Sequence, residues 1–335
     1  MNNKTEQYDI DFVVTWVDSS DPLWREKKAK YTGIQESEGN TEARYRDWDI
    51  LKYWFRGVEK FAPWVRNVYF VTDNQRPKWL NTDHPKLKLV DHTDFIPKEY
   101  LPLFNSSAIE WNIHRIEGLS EHFVYFNDDM ILINHTTKED FFKDGIPCDS
   151  ENWRIAFPRC DFDQMRFNNI ELINRYFSPK EVLKKDFKKW VKYKSPKELF
   201  LLALLGTQSD FSGISASHIC IPYLKSTYET LWEKEGELIH KTCCNKLRTR
   251  LDLTGWTVRY WQLCSGNFYP KKPIGKLYHT CTLAENNDAI EYITKQKGKV
   301  ICINDSEHED DFLNHQKMVS DALNQILPEK SSFEK

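Results

Sequence analysis

The chain has 335 residues, of which 40% are hydrophobic and 14% aromatic, and its formal net charge at pH 7 is −3. This composition is sufficient for a large hydrophobic core and excludes a wholly disordered chain. The nearly neutral net charge does not indicate a basic surface for nucleic acid, so no nucleic-acid partner is expected. The longest apolar run, residues 200–205, is too short to cross a bilayer and the first residues lack a hydrophobic signal region, so we do not expect an integral membrane protein.

The first 135 residues alternate strand patterns with helix patterns. The predicted strands cover residues 10–17, 68–72, 87–90 and 123–126. One helix is predicted for residues 44–61, where apolar side chains recur every three or four positions. A second helix is predicted to begin at a capping sequence at residues 105–107 and to extend to residue 119. This order predicts an α/β fold with a Rossmann-like, mostly parallel sheet flanked by helices.

An acidic residue follows each of the predicted strands. These residues are Asp18, Asp73, Asp91 and the pair Asp128-Asp129. The carboxyl ends of parallel strands share one edge of a sheet, and open α/β sheets bind their ligands at that edge. Two adjacent carboxylates can hold a hard cation beside a phosphate, or share a proton so that one of them acts as a base. The alternative is an Asn-Asp turn that only ends a strand, but four acidic positions on one edge favour a site.

Residues 136–210 differ from the flanking segments because lysine is dense and aromatic residues are interleaved with it. The lysines include Lys180, Lys184, Lys185, Lys188, Lys189, Lys192, Lys194 and Lys197. One interpretation is a solvated helical face, and the other is a cationic surface that faces an anionic polymer or lipid headgroups. We therefore divide the chain into the N-terminal part of an α/β domain (1–135), a variable, mostly helical insertion (136–210) and the C-terminal part of the same domain (211–335). Helix patterns in the last part lie near residues 223–235 and 311–326.

A histidine and several arginines are candidate functional groups beyond the acidic edge. His218 lies in a short apolar run, where a lone histidine is more often a hydrogen-bonded structural residue. Imidazole is nevertheless the usual proton acceptor from a hydroxyl nucleophile. Four arginines are candidates for binding phosphate, because a guanidinium group matches phosphate oxygens in a way that lysine does not: Arg44, Arg46, Arg248 and Arg250. The alternative for each of them is an ordinary charged residue on the protein surface.

Several common signatures are missing from the sequence. It contains no Gly-x-Gly-x-x-Gly and no Gly-x-x-x-x-Gly-Lys-Ser/Thr, so Rossmann-type dinucleotide binding and P-loop hydrolysis are not expected. It also lacks the Gly-x-Ser-x-Gly elbow of α/β-hydrolases. The eight cysteines show neither Cys-x-x-Cys nor the Cys/His spacing of zinc sites, which predicts reduced thiols in a cytoplasmic protein.

Four segments of the chain together form a specific pattern. The first is Ile10-Asp-Phe-Val-Val-Thr-Trp-Val-Asp-Ser-Ser-Asp-Pro22. The second includes Phe61-Ala-Pro-Trp-Val-Arg-Asn-Val68, Phe104-Asn-Ser-Ser-Ala-Ile-Glu110, Ile113-His-Arg-Ile-Glu-Gly-Leu-Ser120 and Phe126-Asn-Asp-Asp129. The third is Ser217-His218 with the later Lys246-Leu-Arg248, and the fourth is Cys302-Ile-Asn-Asp-Ser306 with the helix pattern that follows it.

These segments resemble the conserved blocks of the Stealth family of hexose-1-phosphate transferases. The family includes bacterial capsule and cell-wall polysaccharide phosphotransferases and the precursor of the lysosomal N-acetylglucosamine-1-phosphotransferase. The resemblance covers residues 10–135 and 211–335, whereas residues 136–210 fit none of the family blocks. The compact chain is most similar to the short bacterial members that build phosphodiester-linked surface polysaccharides, such as those of streptococci.

The resemblance implies a sugar-1-phosphate transferase with a glycosyltransferase-A-like fold. Such an enzyme transfers hexose-1-phosphate or N-acetylhexosamine-1-phosphate from a UDP-sugar to a hydroxyl group of an acceptor glycan, which can be lipid-linked, and releases UMP. The expected location is the cytoplasm, with peripheral association at the inner face of the plasma membrane. Two alternatives stay open: a metal-dependent UDP-sugar glycosyltransferase of similar fold, which releases UDP, and a non-catalytic carbohydrate-binding module.

The resemblance also implies roles for individual residues. His218 is the expected base, Arg248 clamps the diphosphate, and Asp128 and Asp129 hold a divalent cation, expected to be Mg²⁺, or orient the acceptor. The expected substrate-binding residues are Asp11, Asp18, Arg44, Arg46, Asn105, Ser106, His114, Arg115, Asn304 and Asp305.

Overall fold

The computed structural model describes residues 8–31, 48–215, 217–279, 282–304 and 312–335. Within these residues the strands are β1 (Ile10–Thr15), β2 (Val68–Thr72), β3 (Leu87–Asp91), β4 (His122–Asn127), β5 (Met130–Leu132), β6 (Phe142–Lys143), β7 (Ile146–Asp149), β8 (Ile221–Leu224), β9 (Tyr269–Pro270), β10 (Gly275–His279) and β11 (Val300–Asn304). The helices are α1 (Pro22–Ala29), α2 (Leu51–Phe61), α3 (His92–Phe95), α4 (Ser106–Glu110), α5 (Lys138–Phe141), α6 (Asp161–Asn174), α7 (Pro179–Val191), α8 (Pro196–Leu205), α9 (Lys225–Cys244), α10 (Trp256–Cys264), α11 (Leu283–Thr294) and α12 (Phe312–Ile326).

A five-stranded sheet with the order β3-β2-β1-β4-β8 forms the centre of the protein. The strands β1 to β4 run parallel to their neighbours, and only β8 is antiparallel, at the edge beside β4. Pro222 lies inside β8, and an edge strand tolerates a proline because one side of it needs no partner. The sheet confirms the predicted α/β class with a mostly parallel sheet flanked by helices.

Side chains of the central strands alternate strictly between two cores, one on each face of the sheet. Phe12 and Phe126 pack on one face with Trp54 of α2, whereas Val13 and Tyr125 pack on the opposite face. The second face is covered by residues of α9, α10 and the helices between 161 and 205. A parallel sheet that is buried on both faces explains why its strands appear in the sequence as continuous apolar runs.

Two predicted helices are shorter than the sequence pattern suggests. The helix predicted for residues 44–61 begins at Leu51, because Asp49 adopts a left-handed backbone with φ of 52° that a helix cannot contain. The helix predicted from residue 105 to 119 ends at Glu110 and is followed by a short 3-10 turn. The carbonyl oxygen of Trp111 accepts a hydrogen bond from the indole of Trp232 at 2.9 Å, and this tertiary contact takes the place of a helical one.

A second sheet, formed by β5, β11 and β10, holds the segment that follows β4 in place. The short strand β5 follows β4 after a two-residue turn and pairs antiparallel with β11, which pairs parallel with β10. The helices α11 and α12 cover this sheet. The fourth sequence block, at residues 302–304, is thereby placed against the residues that follow β4. The seven described cysteines have free thiols. Among the described residues, no helix is both long enough and apolar enough to cross a membrane.

Candidate active site

Two of the acidic residues at the carboxyl edge of the sheet have structural partners. Asp73 accepts hydrogen bonds of 2.6 and 2.7 Å from the ammonium group of Lys27, which ties α1 to the end of β2. Asp91 caps α3 by accepting a hydrogen bond of 2.9 Å from the amide of Thr93. The predicted gathering of carboxylates along one edge is therefore real, but these two act in local structure.

Asp18 lies in a turn after β1 that is linked to the end of β2. Its Oδ1 accepts hydrogen bonds from the amide and the hydroxyl of Ser20, at 2.8 and 2.6 Å. The side chain of Gln75 spans the two loops, since its oxygen accepts from the amide of Asp18 and its nitrogen donates to the carbonyl of Asp18, both at 2.8 Å. Asp18 thus keeps a fixed, partly exposed position at the edge where a ligand is expected.

The pair Asp128-Asp129 forms the turn between β4 and β5, and the second sheet holds this turn in place. The amide of Ile303 donates a hydrogen bond of 2.9 Å to the carbonyl oxygen of Asp129, and Met130 pairs with Cys302. Both carboxylates are partly exposed. A rigid turn that carries two carboxylates at the carboxyl edge of a parallel sheet is well suited to bind a ligand.

His218 and Cys302 both reach the carboxylate of Asp129. Nε2 of His218 lies 3.8 Å from Oδ2 of Asp129, and the thiol of Cys302 donates to the same oxygen at 3.4 Å. One ligand atom from each of the three residues lies within 4.8 Å of the other two. Residues from three distant parts of the sequence therefore meet at one point.

A buried ionic network supports the loop that carries His218. The guanidinium of Arg259 on α10 pairs with Asp149 at 2.7 Å and with Glu151 at 2.6 Å, and all three side chains are buried. Arg259 also donates to the carbonyl of Ser217 at 2.9 Å, and Glu151 accepts from the amide of Ser217 at 2.8 Å. Burial alone would lower the pKa of Arg259, but the two carboxylates raise it above its ordinary value. The network fixes the backbone next to the imidazole.

Glu110 is a functional candidate that the sequence did not single out. Its carboxyl group lies at the end of α4, within 3.4 Å of the hydroxyl of Tyr125, which lies 3.0 Å from the hydroxyl of Thr15. Burial raises the pKa of Glu110 to about 7, against the lowering effect of the Arg248 charge. A carboxyl group with such a pKa exchanges protons near neutral pH, which is typical of functional sites. A Cβ atom at Gly255 would lie 2.3 Å from Oε2 of Glu110, so a larger residue there would displace this carboxyl group.

Arg248 is held beside Ser106, with which its guanidinium forms a short hydrogen bond. The loop that carries Arg248 is fixed by Asp252, which accepts from the amide of Thr249 at 2.9 Å and from the side chain of Asn105 at 2.8 Å. Asn105 is also the N-cap of α4, as the sequence predicted. The structure therefore brings Asn105, Ser106 and Arg248 together, although a long stretch of sequence separates them.

Two consecutive residues connect the groups around Glu110 with those around Asp129. Gly255 contacts the carboxyl group of Glu110, and the ring of Trp256 packs edge-on against His218, with 6.1 Å between the ring centroids. The two groups of candidate residues are therefore neighbours in the structure.

The remaining candidates have different outcomes. Asn304 is the last residue of β11 and follows Ile303, whose amide binds the carbonyl oxygen of Asp129. The side-chain nitrogen of Asn304 lies 3.4 Å from Nδ1 of His279. Arg44, Arg46 and Asp305 lie outside the described residues.

Asp11 does not belong to this site, which corrects the sequence-based assignment. It lies near the start of β1, whereas the candidate site is at the opposite end of the parallel strands. Its carboxylate is fully buried and pairs with Arg66 at 2.5 Å, and it accepts hydrogen bonds from the amides of Asn67 and Ser120 at 3.1 and 2.8 Å. Asp11 instead links three segments of the fold.

His114 and Arg115 also pack away from the site. His114 is buried and stacks on Tyr228 of α9, at 5.6 Å between ring centroids, and burial lowers its pKa to about 3. The guanidinium of Arg115 lies 4.7 Å from the ring centroid of Trp232, also on α9. Tyr228 in turn contacts Phe123 near the start of β4, so these side chains join α9 to the far end of the sheet.

The oxygen donors at the turn suit the expected cation. Mg²⁺ prefers carboxylate and phosphate oxygens, and Asp128 and Asp129 offer such oxygens on a fixed turn. The imidazole of His218 and the thiol of Cys302 are softer donors that suit Zn²⁺ better than Mg²⁺. The two carboxylates are therefore the residues of this turn that fit a magnesium ion.

Comparison with known proteins gives matches along most of the chain. Residues 8–36 match the family model for Stealth protein CR1, conserved region 1, and residues 44–148 match that for Stealth protein CR2, conserved region 2. The chain is 42% identical over 327 residues to the capsular polysaccharide phosphotransferase WcwK of Streptococcus pneumoniae, with 97% of this chain and 99% of that protein aligned.

Further relatives have similar coverage. The receptor polysaccharide phosphotransferase WefC of Streptococcus oralis is 41% identical, covering 97% of this chain and 99% of its own. The exopolysaccharide phosphotransferase cps2G of Lactiplantibacillus plantarum is 41% identical, covering 98% and 97%. Among solved structures, a bifunctional glycosyltransferase, WbbM in its apo form, matches 97% of this chain and 53% of its own with a TM-score of 0.38 and 9% identity.

Proposed function

This chain belongs to the Stealth family, and from that premise we propose that it is a polysaccharide phosphotransferase that transfers hexose-1-phosphate or N-acetylhexosamine-1-phosphate from a UDP-sugar to a hydroxyl group of an acceptor glycan. The observation that carries the proposal is the identity of 42% along 97% of the chain to a protein named as a capsular polysaccharide phosphotransferase. The geometry of the site supports it, because the reaction needs a base, a cationic clamp and charge compensation in one place.

The bond changes define the proposed reaction. An oxygen of the acceptor hydroxyl attacks the β-phosphorus of the UDP-sugar, and the bond between that phosphorus and the bridging oxygen of the diphosphate breaks. The hydroxyl proton goes to a base, UMP leaves, and the product is a hexose-1-phosphodiester. The bond between C1 of the sugar and its oxygen is untouched. Because negative charge shifts from the transferred phosphoryl group onto UMP, positioning and electrostatic stabilisation account for most of the catalysis.

His218 is proposed as the base that accepts the hydroxyl proton. A neutral imidazole becomes an imidazolium ion when it does so, and the carboxylate of Asp129 lies 3.8 Å from Nε2 to stabilise that charge. The network of Arg259, Asp149 and Glu151 fixes the backbone next to this imidazole. Glu110 is the second candidate for a proton-accepting group, since its pKa is about 7.

Arg248 is proposed to bind the diphosphate of the donor. Its position is set by Ser106 and by the loop that Asp252 and Asn105 fix. A guanidinium group can donate two parallel hydrogen bonds to phosphate oxygens, and it keeps its charge throughout the reaction.

We further propose that Mg²⁺ binds at the turn formed by Asp128 and Asp129. When bound there, it would neutralise charge on the diphosphate of the donor. Binding of the ion by both carboxylates would also offset the repulsion between their negative charges.

The proposed partners and location follow from this reaction. The proposed donor is a UDP-hexose or a UDP-N-acetylhexosamine, and the proposed acceptor is a glycan, either free or lipid-linked. We expect the protein to act in the cytoplasm, at the inner face of the plasma membrane.

The test is the identity of the released nucleotide and of the new bond. The protein is incubated with a panel of UDP-sugars and an acceptor glycan, the nucleotide is separated by chromatography, and the product is examined by ³¹P NMR. The proposal expects UMP, a phosphodiester signal and retained anomeric configuration. Release of UDP with a product that lacks phosphorus would overturn it in favour of the metal-dependent glycosyltransferase. Absence of any nucleotide release would favour a carbohydrate-binding module.

A further inference from the structure

The helices α7 and α8 form a hairpin on the surface of the protein. They are joined by residues 192–195, and Leu183 of α7 packs against Gly206, directly after α8. Trp190 of α7 and Leu202 and Leu205 of α8 are buried and anchor the hairpin in the core that covers one face of the central sheet.

The outer side of this hairpin is more apolar than a solvated surface requires. The side chain of Phe200 is 68% exposed, that of Phe187 57% and that of Leu204 47%, and Leu199 and Tyr193 are also exposed. Phe200 and Leu204 lie four positions apart on α8 and therefore share one face of it. Single exposed apolar residues are ordinary, but several on one pair of neighbouring helices mark an interaction surface.

Four of the five lysines of α7 fall into two groups. Lys185 and Lys189 are anchored to the protein body, because their ammonium groups donate to the carbonyl oxygens of Ser265 and Gly266 at 2.9 and 2.5 Å. The side chains of Lys184 and Lys188 are exposed on the same helix as Phe187. Cationic groups therefore flank exposed aromatic ones.

We propose that the outer side of the α7–α8 hairpin binds the surface of a bilayer that contains anionic lipids. We call this surface, defined by Lys184, Phe187, Lys188, Phe200 and Leu204, the hairpin face. Aromatic and aliphatic side chains on such a face enter the boundary between headgroups and acyl chains, while the lysines contact anionic headgroups. A soluble anionic polymer would use the charges but would leave the apolar side chains in water, so the apolar component favours the bilayer.

Membrane binding by the hairpin face is independent of the reaction proposed above. If both are correct, the acceptor glycan reaches the site while its lipid stays in the bilayer, and the hairpin face accounts for the expected peripheral location. Failure of one does not imply failure of the other, because vesicle binding is measured without donor or acceptor.

The experiment uses the full-length protein and two kinds of vesicle, one of phosphatidylcholine alone and one of equal parts phosphatidylcholine and phosphatidylglycerol. Binding is measured by flotation at low and high salt. We expect binding to the anionic vesicles only, weakened by salt. The double variant Phe200→Asp/Leu204→Asp should lose at least about 10-fold in affinity, and so should Lys184→Glu/Lys188→Glu.

The matched control is Leu283→Asp/Leu313→Asp, which adds two negative charges as Phe200→Asp/Leu204→Asp does. Leu283 is 57% exposed on α11 and Leu313 75% exposed on α12, both outside the hairpin, so their replacement changes charge and exposed apolar area without touching the hairpin face. Near-identical melting temperatures for all variants establish that the fold is intact, and if the Phe200/Leu204 variant unfolds, Phe200→Ser takes its place.

Three outcomes would overturn the proposal. The first is a lack of binding to anionic vesicles, and the second is an equal loss in the Leu283/Leu313 control. The third is retained vesicle binding in both hairpin variants. Binding of an anionic glycan in solution, lost only in the lysine variant and without any vesicle binding, would assign the hairpin face to a polymer.

Discussion

Nε2 of His218 lies 3.8 Å from Oδ2 of Asp129, although the two residues belong to different sequence blocks. The antiparallel edge strand β8 starts shortly after His218 and pairs with β4, and Asp129 follows β4. Their proximity is thus a consequence of how one edge strand joins a parallel sheet.

Replacing Asp129 by asparagine should lower the turnover rate at least ~10²-fold with little change in melting temperature, because it removes the charge beside His218 and keeps the size of the side chain. Steady-state kinetics and thermal unfolding measure the two quantities. Asp91→Ala is the control from the same edge: it should cost about 1 kcal/mol of stability through loss of the α3 cap and leave the rate per folded molecule unchanged. Near-normal turnover of the Asp129 variant would assign this carboxylate to local structure.

Arg248→Lys should raise the KM for the UDP-sugar at least ~10-fold, because an ammonium group cannot make the two parallel hydrogen bonds of a guanidinium. Arg250→Lys provides the comparison, since Arg250 is exposed in the same loop. Donor titrations at saturating acceptor distinguish the variants. Equal effects of the two substitutions would mean that Arg248 has no specific role in donor binding.

The raised pKa of Glu110 predicts that the stability of the protein depends on pH. Its value of about 7 in the folded protein lies above the ordinary 4.5, so folding is favoured when the group is protonated. This contribution is complete below pH 4.5 and is lost as the pH rises towards 7. Glu110→Gln should therefore gain stability relative to the original protein over this range, up to a few kcal/mol. Chemical unfolding at several pH values measures the difference, and a difference independent of pH would show that the pKa is ordinary.

The same variant separates the two candidates for the base. If His218 accepts the proton, Glu110→Gln keeps the acidic limb of the pH–rate profile near its original position, whereas His218→Gln removes that limb together with most of the rate. The opposite result would assign the role to Glu110.

The stability of the protein should depend on the charge balance of the buried network of Arg259, Asp149 and Glu151. Arg259→Leu leaves the buried carboxylates of Asp149 and Glu151 without their partner and should cost about 3–5 kcal/mol of stability. The triple variant that also carries Asp149→Asn and Glu151→Gln should recover part of the loss, because the buried groups are then neutral. Denaturant unfolding of the two variants tests this order, and a triple variant less stable than the single one would contradict it.

Zinc should inhibit the protein at the cluster of Asp129, His218 and Cys302. Zn²⁺ bonds of about 2.0–2.3 Å place two donors of one ion about 3.5 Å apart. The separations of 3.8 Å from Asp129 to His218 and 3.4 Å from Asp129 to Cys302 are close to this value. Binding there would occupy the proposed base. Cys302→Ser should weaken zinc affinity at least ~10-fold by calorimetry. Co²⁺ should give a thiolate charge-transfer band in the original protein and not in the variant; without such a band Cys302 is not a ligand.

The sequence by itself determined the class of fold and indicated the edge of the sheet that carries the candidate site. Continuous apolar runs predicted the strands, and their alternation with amphipathic stretches predicted parallel pairing, because both faces of such a sheet must be buried. The acidic residues after each strand marked one edge, and the conserved blocks indicated the family. The position of Asn105 as a helix cap was also readable, because capping depends only on neighbouring residues.

Only the tertiary structure decided which polar residues share the site. Local sequence cannot show that Asp11 is buried against Arg66, that Asp73 is paired with Lys27, or that His114 lies against α9. The candidate role of Glu110 depends on a pKa that is set by burial and by Arg248, and both come from chain segments far away in the sequence. Spacing and composition describe neighbours along the chain, whereas the charge, burial and orientation of a site depend on neighbours in space.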